Sequence, residues 1–162
     1  MTSLGVHFAL TSELEDGLHE TNDDAEVRAF VEDIEETRWN ELDILESDKA
    51  WDALHRCLTD GTLDGDDHPL CMAVLGGEHF HEGEEYTVSY VSPEQVREVS
   101  AAFAGWDEPR LRERYEALAG TDYAGPHGPE DFDYVWGTFV DLVSFFSRAA
   151  SAGRAVIFTV DQ

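Results

Sequence analysis

Residues 48–55 read Asp-Lys-Ala-Trp-Asp-Ala-Leu-His, and on a helix this run gathers the side chains best suited to chemistry. Trp51 and His55 lie one turn apart and share a face. Asp52 and His55 are spaced i, i+3, so a carboxylate–imidazole hydrogen bond could raise the imidazole's basicity and make His55 a general base. Trp51, with Trp136 from a long apolar stretch near the C-terminus, would line the pocket beside it. The structural alternative uses the same residues differently. Trp51 packs, Asp52 is solvated or paired, and His55 is a buried histidine that holds a loop. A polar group on an apolar stripe must find a partner or bear a desolvation cost.

His79-Phe80-His81 is a second candidate. On a strand His79 and His81 point the same way, an arrangement that suits a transition metal, and His68, Asp66 and Asp67 precede them as further donors. The flanking glycines and acids instead read as a polar loop over residues 79–85, so no metal is expected there. The acidic run 60–67 lacks the residue order of an EF-hand. No nucleophile elbow, P-loop, dinucleotide fingerprint or zinc-protease motif occurs, and no cofactor is implied. Cys57 and Cys71 form no Cys-x-x-Cys pair and read as small buried hydrophobes.

Charge excludes more than motifs do. Acidic residues number 36 against 10 basic ones, a net charge of -26. Twenty of the acids, with only four bases, fall between Glu13 and Asp67. Nucleic-acid binding through a phosphate footprint is disfavoured, because the nearest basic cluster (Arg110, Arg112, Arg114) is interrupted by Glu113 and Glu116. Anionic membrane surfaces are disfavoured on the same ground, and no apolar run approaches the roughly 18 residues of a membrane span. Residues 1–10 carry no Lys or Arg, so no secretory signal is expected and the default location is the cytoplasm. Three readings of the acidity remain: a solubility adaptation, a face for a basic protein partner, or cation binding. The N-terminal half is where an electrostatic partner would dock. Nothing in the sequence specifies an oligomeric state.

The elements that must position these residues follow from periodicity. The length suits one domain, residues 1–162. Leu4, Val6, Phe8 and Leu10 alternate as a half-buried strand. Thr11 or Ser12 caps a short helix to His19. Val27, Phe30, Val31 and Ile34 mark a helix over residues 24–37. Ser47 reads as the N-cap of the 48–58 helix, and Gly61 as its end. Pro69–Leu75 fits a short helix or a buried strand. Tyr86–Val91 is a strand, followed by a capping box in Ser92-Pro93-Glu94-Gln95. Asp107 caps a further helix. A long helix over 130–152, with Phe132, Val135, Trp136, Phe139, Val140, Leu142, Val143, Phe146 and Ala150, should be the most buried, and Ala155–Val160 forms a last strand. These imply an α+β fold: a small mixed sheet that includes the N- and C-terminal strands, packed by several helices with a long buried C-terminal helix. A right-handed crossover from that helix onto the sheet is expected.

Three blocks carry a family resemblance: Asp48–His55, the run Pro69-Leu70 with Ala73-Val74-Leu75-Gly76-Gly77, and Tyr90-Val91-Ser92-Pro93-Glu94-Gln95-Val96. In this order, with the aromatic C-terminal helix ending in Ser147-Arg148-Ala149-Ala150, the chain resembles the YfbM-like proteins, domain of unknown function 1877. The loop Thr121–Pro126 departs from the pattern, where a tighter Tyr-Pro turn is expected. The resemblance implies a compact α+β domain and supplies no catalytic residues. The expected function is a non-catalytic module that binds a basic protein, with a small enzyme using a pocket near Trp51 and His55 as the alternative.

Overall fold

Strand alternation decides the layering. The computed structural model describes residues 4–39, 42–61, 69–82, 86–121, 123, 125 and 128–161. Its elements are β1 (Leu4–Leu10), α1 (Ser12–His19), α2 (Asp24–Thr37), β2 (Ile44–Asp48), α3 (Ala50–Leu58), a 3₁₀ turn (Leu70–Ala73), β3 (Glu78–Glu82), β4 (Tyr86–Val91), α4 (Pro93–Phe103), α5 (Glu108–Glu116), α6 (Pro129–Ser151) and β5 (Ala155–Asp161). The five strands form one sheet in the order β2-β1-β5-β4-β3.

The fold is α+β, but the sheet is antiparallel throughout rather than mixed. β5 returns from α6 and runs opposite to both its neighbours, β1 and β4. The expected right-handed crossover is therefore not made, because that rule governs parallel neighbours.

Helices cover both faces. Phe8, Leu10, Tyr86, Val88, Tyr90, Ala155 and Ile157 pack with Leu18, Val27, Val31 and Ile34 of α1 and α2. The alternate residues Ala9, Val91, Val156, Phe158 and Val160 pack under α3–α6. β4 and residues 155–160 of β5 are consequently buried at every position, which explains the near-continuous apolar run Ala155–Val160. No described helix is long and apolar enough to cross a membrane.

Local signals place several elements where the sequence puts them. Asp23 accepts from the Glu26 N–H at the start of α2. The capping box of α4 is complete: Ser92 Oγ accepts from the Gln95 N–H, and Gln95 accepts from the Ser92 N–H. The buried face of α6 comprises Phe132, Val135, Phe139, Leu142, Phe145, Phe146 and Ala149. Val140, assigned to that stripe by sequence, lies on the open side at 44% exposure.

Two strands differ from expectation. β2 occupies the segment where Ser47 reads as a helix cap. Gly5 pairs with Asp48 and Val6 with Glu46, so Ser47 is the extra residue of a bulge. It turns inward and its hydroxyl donates to the Gly5 carbonyl at 3.1 Å. The chain then turns through a left-handed Asp48 (φ 50°) before α3 begins with no side-chain cap of its own. β3 replaces the expected polar loop. It pairs along β4, with a bulge between His79 and His81.

Backbone approach explains the glycine pair. A Cβ on Gly77 would sit 2.3 Å from the Tyr90 carbonyl oxygen, and one on Gly76 would sit 2.4 Å from that of Cys71. Neither position admits a larger residue without moving main chain.

His7 is the polar group the two-sided sheet has to accommodate. Alternation alone places it towards water, yet it is 1% exposed. It lies among the rings of Phe145, Phe146 and Phe158. Its Nε2–H donates to the Ala73 carbonyl at 2.7 Å, and Nδ1 has no partner. Burial lowers its pKa from 6.5 to about 4, against the smaller opposing effect of the Ala73 bond. The folded state thus holds a neutral imidazole, while the unfolded chain gains a proton below pH 6.5. Stability attributable to His7 is complete above pH 6.5 and falls by about 3 kcal/mol as the pH drops towards 4. Urea unfolding of wild type and His7→Gln across this range should show that slope in wild type only. Parallel profiles would refute the assignment.

Candidate functional site

α3 is nearly all interior: of its nine residues only Asp52 is not buried. Trp51 packs against Phe158, ring centroids 6.0 Å apart. His55 is 1% exposed, and the Leu75 N–H points to its Nδ1 at 3.5 Å. The expected Asp52–His55 bond is absent. Asp52 instead takes the Arg56 Nε–H at 2.6 Å, one turn on. Arg56 has a side chain only 5% exposed and needs a carboxylate. Trp136 stacks on Phe139. Of Trp51, Asp52, His55 and Trp136, Asp52 alone lines either of the two clefts described below.

The histidine pair fares differently. His79 Nε2–H donates to the Leu75 carbonyl at 2.6 Å. A register shift in the pairing with β4 falls between His79 and His81. The side chain of His81, the acidic run 62–67 and His68 lie outside the described residues. Among the described residues no group of three or more His, Cys, Asp or Glu could hold a metal ion. Cys57 and Cys71 are buried and are not joined in a disulfide. Burial pushes the Cys57 thiol up to about 12, so it stays protonated and unreactive.

An open cleft lies elsewhere. A cleft of about 620 Å³ forms where α2 and Trp39 lie over the rim of the sheet. α2 contributes Arg28, Glu32 and Glu35; β1 contributes Leu4, Gly5 and Val6; β2 contributes Glu46 and Asp48. Tyr86, Thr159 and Tyr134 complete the lining. Four carboxylates thus face one guanidinium. Arg28 lies over the Tyr86 ring, 5.3 Å from its centroid, and its Nε is 3.5 Å from Glu32. Trp39, 37% exposed, is steadied edge-to-face by Phe8 at 5.9 Å. Such a lining favours cations twice over, through net negative potential and through ring faces.

Tyr134 joins this cleft to a second of about 450 Å³, lined by Lys49, Ala50, Asp52, Tyr123, Gly125, Asp131 and Val135 as well. Its hydroxyl accepts from the Lys49 N–H at 3.2 Å and bonds the Asp48 carboxylate. It thereby supplies from α6 the cap that α3 lacks. In the second cleft the hydroxyls of Tyr115 and Tyr123 both donate to Asp131 Oδ2. Burial and the shared carboxylate raise both phenol pKa values, so these tyrosines act as donors.

The Asp48–Asp52 turn, the most specific block of the sequence, therefore sits between two clefts. That same sequence matches the family model described as Domain of unknown function (DUF1877) over residues 1–159. The chain belongs to the DUF1877 family. Among solved structures it is similar to YfbM from Escherichia coli, a protein of unknown function, with a TM-score of 0.70. The two are 20% identical over 97% of this chain and 99% of the other, a likeness that establishes the fold. No curated protein matches.

Sequence reasoning missed Trp39, Tyr86, Tyr134 and Glu46 as site residues of this DUF1877 chain. The acid-rich segment before residue 68 was the trace they left, since Glu32, Glu35, Glu46 and Asp48 all belong to it. The Asp52–Arg56 pairing gives a test of the role of α3. Asp52→Asn removes a charged partner from a buried guanidinium and should cost about 2 kcal/mol in urea unfolding. An unchanged midpoint would show that the pair contributes nothing to the fold.

Proposed function

We propose that this domain is a non-catalytic binding module that receives a basic protein segment in the acidic, aromatic cleft over the sheet rim. The composition of that cleft carries the reading. Glu32, Glu35, Glu46 and Asp48 line it together with the aromatic residues Trp39, Tyr86 and Tyr134. A cationic side chain entering there exchanges water for carboxylates and aromatic faces, and the net charge of -26 speeds its approach. The core position of Trp51 and His55 supports a structural role for them and leaves the cleft as the place of recognition.

The test is calorimetric titration of the whole chain with a short oligo-arginine peptide at low and high salt. Affinity should fall steeply as salt rises. Trp39→Ala should weaken it a further twofold to fivefold at fixed salt, the worth of about 0.5–1 kcal/mol for one ring–cation contact. Absence of binding at low salt would overturn the module reading. Binding untouched by Trp39→Ala would place the contact outside the cleft.

A further inference from the structure

We infer that Arg28 is an internal stand-in for the partner's arginine, occupying the cleft's cation subsite until a guanidinium from the partner displaces it. The inference rests on the proposed binding of a basic segment and names the group recognised and how access to it is regulated.

The geometry around Arg28 is the recognition geometry in miniature. Its guanidinium lies over the face of Tyr86 and beside the Glu32 carboxylate, in the one described cleft where four acids and three rings converge. A planar, weakly hydrated guanidinium can stack on a ring while its edge donates to carboxylates, which a lysine ammonium cannot do in the same way. The subsite therefore selects arginine.

Arg28 also holds its place weakly. Its side chain is 48% exposed, that of Glu32 is 60% exposed, and their separation is 3.5 Å. An exposed i, i+4 pair of this kind contributes little. Neither contact anchors the fold, since α2 is fixed by its buried face of Val27, Val31 and Ile34. Swinging Arg28 outward opens the ring of Tyr86 and frees Glu32 without moving backbone. Its presence also sets one positive charge among the acids that line the cleft in the empty state. A competing intramolecular cation lowers apparent affinity and screens out ligands that cannot match its contacts.

The experiment compares Arg28→Gln with Arg97→Gln. Arg97 is exposed on α4, in the opposite helical layer, so the two variants lose the same charge. Both are titrated with oligo-arginine and with oligo-lysine of equal length. Arg28→Gln should bind oligo-arginine about twofold to fivefold more tightly than Arg97→Gln does, the worth of one cation–ring contact. The gain for oligo-lysine should be smaller. Equal affinities for the two variants, with binding intact, would overturn the stand-in role and leave the module reading standing. An equal gain for both peptides would overturn the selection of arginine. Failure of wild type and both variants to bind either peptide at low salt would overturn the module reading itself.

Discussion

A sheet covered on both faces has no solvent side to which a polar side chain can turn. In this chain the central strands meet that condition, and each polar residue inside them has to be used. His7 donates to the Ala73 carbonyl, and Ser89 Oγ accepts from the Gly77 N–H at 3.0 Å. Both ties reach the same segment, residues 70–77, and pin it to the sheet. That segment in turn presents the Leu75 N–H to His55 and the Leu75 carbonyl to His79. Two of the histidines that look most like chemistry in the sequence, buried His55 and exposed His79, are thus tied into one hydrogen-bonded lattice. It runs from the middle of the sheet, through the 3₁₀ turn, into α3. The close approach of Gly76 and Gly77 to neighbouring carbonyls belongs to the same lattice, because the segment can be held this tightly only where side chains are absent.

The cleft is the counterpart of that closure. α2 seals one face of the sheet with Val27, Val31 and Ile34, and carries Arg28, Glu32 and Glu35 one position further round the helix. The residues that line the opening are therefore fixed by those that fill the core. Tyr134 makes a similar link from the other layer. It holds the Asp48–Lys49 turn by its hydroxyl and lines the cleft. A site built this way is preorganised by packing and needs no loop closure to assemble.

Legibility in the sequence followed the range of the interactions. Helix α2 and the capping box of α4 are local, and residues 24–37 and 92–95 announce them directly. β2 was hidden because a five-residue edge strand ending in Ser-Asp looks like a helix cap when read alone. Only its partner Gly5, more than forty positions away, shows that Ser47 is a bulge. β3 was hidden for a similar reason: its histidines and acids read as loop, and its strand character comes from pairing with β4. The cleft was legible only as a bias. Its residues come from β1, α2, β2, β4, α6 and β5, and no window of sequence contains more than a few of them. Asp52 and His55 were grouped correctly on one helix, but spacing could not reveal that a buried Arg56 would claim the carboxylate.

The strand order has a temporal side. β5, the last of the five described strands to be synthesised, is the middle of the sheet, with β1 paired to one edge and β4 to the other. Until it arrives, the β1–β2 and β3–β4 strand pairs have no ladder bond to one another, and each shows apolar faces and an unpaired edge. Leu4 pairs with Asp161, so closing the sheet spans nearly the whole described chain. Such long-range closure slows folding. During synthesis the strongly negative surface is then the main protection the unfinished halves have against pairing with copies of themselves.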